Sequence, residues 1–499
     1  MTNQLEIASF DLGASGGKVI LGKFDGKRIE LSEVHRFFNN PFQLRNRIYW
    51  DFLFLFEEVK KGLSHSINIT NGRLASIGLD TWGVDCALLD KKGDLLENPH
   101  CYRDPRTNGV MEKVFKHIPR EKLYMRTGVQ FMQFNTLFQI YSMLDEDPHS
   151  FDNVGTFFMV PDLFNYYLTD IKKCEFTNAT TTQMYDPYNH QWDRSLLKTL
   201  GVPYKKMAEI IKPGEILGDL SGWLCAELDI KPIPVVVVAS HDTASAASAV
   251  PYDNANSAFL SSGTWSLLGS EEDSLIINEH GLKFNFSCYG GACDTHLVWK
   301  NIQALWLLQE CMSVWKSEGK NYSHEDIIFI ANQAKAFGPI INTDALSFLN
   351  PGDFPKKIAH ECESTGQTVP QNDGEIARCI LESLALKYRF TFESLQKVIG
   401  RKLDKIHVIG GGARNWLLNR FTAEATTSIV ESGPYEATSL GNLLLQLIAL
   451  GEIKDLKEGR EVIRASFKTD ISQPSEKGAW GDMYERYQKI SVMSKTFNL

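Results

Sequence analysis

Two short stretches constrain this chain more than anything else in it. Residues 9–22 read SFDLGASGGKVILG, and residues 257–270 read SAFLSSGTWSLLGS. Each is an apolar run, a centre of small residues and a second apolar run, the pattern of strand, tight turn, strand. Their equal length and shared centre read as a degenerate internal duplication, one copy opening each half. With 499 residues the chain is too long for one ordinary core. Two large domains are expected, residues 1–250 and 251–499, with a boundary near AVPYDNANS.

The segments between fit an α/β chain. EIASFD, KVILGKF and RIELSEVHRF read as a three-stranded meander. From Asp51 the residues Phe52, Leu55, Phe56, Val59, Leu63 and Ile67 share one face of a helix. RLASIGLD reads as a buried strand, and VDCALLDKKGDLL as a hairpin turning at Lys92–Gly93. PIPVVVVAS is the continuous apolar strand of a sheet covered on both faces. A helix over about Glu375 to Ile399 precedes KIHVIGGGARN, a strand entering a triple-glycine turn.

Several function classes are disfavoured. A net charge of −9 gives no reason to expect nucleic acid or an anionic membrane as partner. Nine cysteines without C-x-x-C spacing argue against a zinc site or a disulfide scaffold. No apolar run reaches membrane length, and MTNQLEIASF lacks the basic and apolar regions of a secretory leader. A reduced, cytoplasmic setting is the expectation.

Five places could carry chemistry. The first loop is not a Walker A sequence: Gly13 and Gly17 are too close, and Val19 follows Lys18 where Ser or Thr is required. Even so, Gly13, Gly16 and Gly17 can turn the backbone toward an anion, with Ser15 and Lys18 as donors. Asp11 would repel a bare phosphate and so implies Mg²⁺; the alternative is a glycine hairpin with a capping Asp. In the second loop Ser261, Ser262, Gly263 and Thr264 suit phosphate, or make an ordinary turn. In VVVVASHDTASAASA a strand ends at His241-Asp242-Thr243, where Asp242 is either a general base or a plain helix N-cap. His241 orients substrate there or satisfies a buried hydrogen bond. In LDTWGVD the carboxylates Asp80 and Asp85 flank Trp82 and Gly83, a set suited to a sugar or to core packing. Gly410–Gly412 would let something flat, such as an adenosine, approach the backbone. Neither G-x-S-x-G nor H-E-x-x-H is present.

Taken in order, DLGAS, DTWGVD, SHDTAS, SSGTWSL, IGGG and GPYEATSLGN resemble the FGGY carbohydrate kinases of the actin-like ATPase superfamily, over nearly the whole chain. HRFFNNP, YRDPRTNG, TNATTTQ and KNIQALWLLQ are similar to the branch that acts on a 6-deoxy ketose. The resemblance implies two actin-like (ribonuclease H-like) domains around a central cleft. The first half would carry the sugar site and first phosphate loop, the second the nucleotide site. By matching position, Ala14, Ser15, Gly16, Gly17, Lys18, Thr264, Gln309 and Gly411 would contact ATP. Gly83, His241, Asp242, Thr243 and Asn301, with Asp80, would contact the sugar. Asp242 would be the proton acceptor and Asp11 the Mg²⁺ partner. The implied activity is phosphorylation of L-rhamnulose at its 1-hydroxyl in L-rhamnose catabolism; L-fuculose and L-xylulose are the alternatives. A non-catalytic sugar or nucleotide sensor is a remote alternative, disfavoured because Asp11 and Asp242 are both present. The partner is thus a small ketose, with monomer and dimer both open. This chain departs from that branch at Lys18, where Arg is usual, and at Gly16, where Ser is usual. A lysine is a point charge and an arginine a fork, so phosphate geometry would differ.

Overall fold

The computed structural model describes residues 4–475 and 478–493. A first mixed sheet holds β1 (Leu5–Gly13), β2 (Gly16–Phe24), β3 (Ile29–Phe38), β4 (Leu74–Thr81), β5 (Glu215–Asp219) and β6 (Pro234–Val237), in the order β5-β6-β4-β1-β2-β3. A second holds β7 (Ser257–Ser262), β8 (Trp265–Glu272), β9 (Ser287–Gly290), β10 (His296–Gln303), β11 (Lys405–Ile409), β12 (Ile429–Ser432) and β13 (Asp470–Ser472), in the order β9-β10-β8-β7-β11-β12-β13. β1 runs antiparallel to β2 and parallel to β4, just as β7 runs antiparallel to β8 and parallel to β11. The two quoted stretches therefore hold equivalent places in equivalent sheets.

Local chemistry explains the elements that carry the site. Helix α1 (Phe52–Thr70) starts where Asp51 accepts the Phe54 N–H at 3.0 Å and ends at Asn71, a left-handed cap with φ 51°. It buries Phe52, Leu55, Phe56, Val59 and Leu63. Gly62 lets it approach the sheet, since a Cβ there would lie 2.5 Å from Val19. The parallel strands β1, β4 and β6 are buried along nearly their whole length because both faces are covered. Helix α2 (Asp242–Ser248) follows β6, α3 (Trp306–Ser317) follows β10, and α4 (Asp373–Ile399) packs on β8 and β10.

One expected hairpin pairs differently. The turn after Asp90 exists, with Asp90 Oδ1 accepting the N–H groups of Lys92, Gly93 and Asp94 at 2.7–2.9 Å. Yet Cys86–Asp90 takes Val154–Met159 as its antiparallel partner, and only Leu89 and Leu95 bridge across the turn. Apolar Phe157 and Phe158 cover that strand better than the charged KKGD tip could.

Helix α5 (Ala437–Ala449) lies late in the sequence but packs against the first sheet. Its leucines join Ile7, Phe24, Val236, Phe259 and Trp299 in an apolar cluster shared by both halves. A polar stripe on the same helix is fully bonded. Gln446 donates to Ala8 O at 2.9 Å and to Asn442 Oδ1 at 2.7 Å, and accepts from Ser76 Oγ at 2.7 Å. Gly441 lies against α2, where a Cβ would meet Ser245 O at 1.7 Å.

Candidate active site

Because β1, β4 and β6 are parallel neighbours, their carboxyl ends lie side by side. Asp11 is the register partner of Asp80, and Thr81 bridges His241. The sequence thus brings Asp11, Asp80 and Asp242 to one edge of the first sheet, the edge where open α/β sheets bind ligands.

Asp80 is wholly buried. One of its oxygens accepts from Asn442 Nδ2 at 2.6 Å, and the other has no hydrogen-bond partner. Burial, and then the carboxylates of Asp11 and Asp242, push its proton affinity well above the usual carboxylate range. Asp242 opens α2 as its first residue, while the capping position belongs to His241. The plain N-cap alternative therefore does not describe Asp242. Its carboxylate accepts from Thr243 Oγ1 at 3.0 Å and keeps 31% of its side-chain surface open. Burial, with the Asp11 charge adding to it, pushes Asp242 up to about 7.

The turn before Asp242 is fixed by Glu175, which the sequence reading did not single out. That buried carboxylate accepts from Ser240 Oγ at 2.7 Å, Thr177 Oγ1 at 2.7 Å and the N–H groups of Thr177 and Asn178 at 2.8 and 3.0 Å. His241 is held in the neutral form, burial lowering it to about 4. Its ring stacks on Trp299 of β10, with centroids 5.5 Å apart and planes at 22°. It also lies on Gly83, where a Cβ would come within 2.5 Å of Cδ2, so only glycine fits there. Asn301, two residues beyond Trp299, shares its face of β10. Its backbone N–H and Nδ2 both donate to Gln130 Oε1, at 3.0 and 3.1 Å. Trp82 is 5% exposed, and its indole N–H donates to Asp85 at 2.9 Å. Asp85 also accepts from Trp50 at 2.6 Å, Gln139 at 2.8 Å and the Tyr102 N–H at 3.1 Å. Burial raises Asp85 to about 6 against those bonds. This pair belongs to the core, and no face of Trp82 is left for a sugar.

The first hairpin closes through the register pair Gly13–Gly16, with Ala14 and Ser15 at the tip and Ser15 exposed. None of Gly13, Gly16 and Gly17 has positive φ. What requires glycine is close packing: a Cβ on Gly16 would meet Phe37 O at 2.9 Å, and one on Gly17 the Phe37 ring at 2.2 Å. Lys18 Nζ lies 2.5 Å from Glu436 and 3.2 Å from Asp11. Burial works against its charge, but the two carboxylates outweigh that and hold it above the ordinary lysine range. On the second hairpin Thr264 Oγ1 donates to Gln309 Oε1 at 3.1 Å. Gly410 has φ 82°, and a Cβ on Gly412 would meet Ser262 Oγ at 2.2 Å, whereas the Cβ direction of Gly411 is open. The structure thus groups Gly83, His241, Asp242, Thr243 and Asp80 at one edge, and Thr264, Gln309 and Gly411 around the second hairpin. Asp11 belongs to the first group, paired in register with Asp80, and Lys18 lies 3.2 Å from it. Among the described residues no three His, Cys, Asp or Glu converge as a metal ligand set, and no helix is long and apolar enough to cross a membrane.

Two matched α/β sheets, with acidic residues at the strand ends, are the architecture of the actin-like ATPases. The chain aligns with the solved xylulose kinase of Lactobacillus acidophilus at a TM-score of 0.78 and 15% identity, covering 98% of this chain and 96% of that one; this likeness is one of fold. Residues 7–249 match the N-terminal domain, and residues 258–450 the C-terminal domain, of the FGGY family of carbohydrate kinases, and the chain belongs to that family. It is 38% identical to a protein named Rhamnulokinase from Bacteroides thetaiotaomicron, over 96% of this chain and 98% of the relative. It is 39% identical to one of the same name from Pectobacterium atrosepticum, over 97% of this chain and 96% of the relative. FGGY kinases use ATP as phosphoryl donor.

Proposed function

We propose that this kinase transfers the γ-phosphoryl group of ATP to the primary 1-hydroxyl of L-rhamnulose. The substrate rests on full-length relatives named Rhamnulokinase at 36–39% identity. One observation carries the chemistry: Asp242, at the carboxyl edge of the first sheet, with a proton affinity raised to about 7. A base poised near the working pH takes a proton most effectively. Asp242 accepts the hydroxyl proton as the sugar oxygen bonds to phosphorus and the bond to ADP breaks. Neutral His241, seated on Gly83, and Thr243 orient the sugar beside it, with Asn301 reaching in from β10. Asp80 contributes its unpartnered oxygen to the same side. Ala14, Ser15, Gly16, Gly17 and Lys18 face the phosphates from the first hairpin, and Thr264, Gln309 and Gly411 hold the nucleotide from the second. Positioning of this kind supplies most of the rate in phosphoryl transfer.

Asp11, at the carboxyl end of β1 beside the first hairpin, would be the residue that holds Mg²⁺, which commonly takes one or two carboxylates and keeps water and phosphate oxygens as its other ligands. Bound there, it would neutralise charge on the phosphates. The test is ADP release with Mg²⁺ and ATP over a panel of ketoses. L-Rhamnulose is expected to be turned over fastest; equal or faster turnover of L-fuculose or L-xylulose removes the substrate assignment.

A further inference from the structure

The segment that delivers Asp242 runs past its sheet. The ladder between β6 and β4 stops at the pair Val236–Gly78, and β6 itself ends at Val237. From there to α2 the chain is pinned from two sides. On one side the Thr81 N–H donates to Ser240 O at 2.9 Å. On the other, side chains stand in for a neighbouring strand: the Ser240 N–H donates to Glu175 at 3.2 Å, and the His241 N–H to Thr177 Oγ1 at 3.4 Å. Glu175 lies just before the short helix Phe176–Thr181. The Ser240 N–H and Oγ, the Asn178 N–H and Thr177 Oγ1 all donate to its Oε2, and the Thr177 N–H donates to its Oε1. Glu175 is fixed in turn by Asp162, which accepts its N–H at 2.8 Å and the Met159 N–H at 3.0 Å. Every group bonded to the Glu175 side chain is a donor, so the place suits a carboxylate, which only accepts. An amide keeps the shape but sets its NH₂ against at least one N–H.

We infer that Glu175 is a positioning residue for the phosphoryl transfer: by holding the backbone and hydroxyl of Ser240, it sets where the Asp242 carboxylate stands against the sugar hydroxyl. This rests on the reading above that Asp242 is the base. Asp242 is two residues beyond Ser240, so a displaced Ser240 peptide shifts the first turn of α2, where that carboxylate is rooted. Glu175 is only 1% exposed, and its effect reaches the reacting atoms through this turn. Misplacing a reacting group by about 1 Å can cost about 10²-fold in rate, so loosening one of several supports is expected to cost about tenfold.

The experiment measures kcat and both KM values for Glu175→Gln and Ser240→Ala, each alone and combined with Asp242→Asn. The carbohydrate is whichever the wild type turns over fastest, so a wrong substrate assignment leaves the test intact. Assays run well below each variant's unfolding midpoint, so that lost stability is not read as lost turnover. Glu175→Gln is expected to lower kcat about tenfold with KM for ATP unchanged. Ser240→Ala, which keeps the Ser240 N–H bond, should show a smaller loss in the same direction, and it decides the matter if Glu175→Gln does not fold. A residue that acts through the base has nothing left to position once the base is gone, so neither change should lower kcat further in the Asp242→Asn background. Losses that multiply there, or a wild-type kcat in both single variants while Asp242→Asn is impaired, overturn this inference alone. Near wild-type turnover in Asp242→Asn itself brings down the base assignment, and this inference with it.

Discussion

The two hairpins occupy the same place in their sheets yet are held in opposite ways. The first is pressed from its own sheet: Phe37 of β3 lies on Gly17, and the carbonyl of Phe37 crowds Gly16. The second is pressed by a distant turn, where Gly410 and Gly412 close on Ser262. The first ends in a lysine tied to two carboxylates, the second in a threonine tied to a neutral amide. Similar small-residue centres therefore reflect a shared topology, while the third element pressing on each turn decides which small residues are indispensable.

The largest expected effect falls on a residue outside both hairpins. Asp242→Asn should fold with an unchanged melting temperature and lose about 10²- to 10⁴-fold in kcat. In the wild type, kcat/KM should fall on the acid side with a limb near pH 7. Below its pKa Asp242 carries the proton it must accept, so activity is lost as pH drops and retained as it rises. Near wild-type turnover in Asp242→Asn would mean that the hairpins alone carry the reaction.

Next come the glycines that separate packing from binding. Gly17→Ala and Gly412→Ala should each lower stability by about 1–3 kcal/mol, as overpacking does. Gly411→Ala, with nothing within 4 Å of its Cβ, should unfold like the wild type and raise KM for ATP. Unfolding curves that rank Gly411→Ala with the other two would erase the distinction between the hairpins.

The smallest effects concern the polar ends. Lys18→Met leaves Asp11 and Glu436 facing each other without a cation. The expected cost is about 1–2 kcal/mol, below that of a fully buried pair because Lys18 is 20% exposed. Thr264→Val should cost about 0.5–1.5 kcal/mol, the worth of one neutral hydrogen bond. Chemical denaturation of both variants orders them, and a larger loss at Thr264 would reverse the contrast drawn here.

Much of the fold was legible because its signals are local. The β1–β2 meander, the buried face of α1 and the apolar run into β6 all follow from periodicity within a few residues. The strand-end position of Asp242 was legible for the same reason. What was hidden depends on residues far apart in the chain. Glu436 meets Lys18 from 418 positions away, and Asn442 meets Asp80 from 362. The stack of Trp299 on His241 likewise spans both sheets, and no pattern in either segment marks it. Sequence alone leaves Trp82 open between sugar platform and core, because an indole beside a carboxylate is at home in either; Trp50 and Gln139, which bond the same Asp85 and decide for the core, lie elsewhere in the sequence. The glycines of the first loop were visible, but their cause, Phe37, was not.

The contact at Gly441 has a mechanical meaning. Backbone meets backbone there, α5 against α2, with no side chain between to compress or slide. Two rods touching at such a point can pivot but cannot be pushed closer, so the contact acts as a fulcrum. It sits on the same short helix that begins with Asp242. A rotation about that point would therefore move Asp242, one helical turn from Ser245, very little.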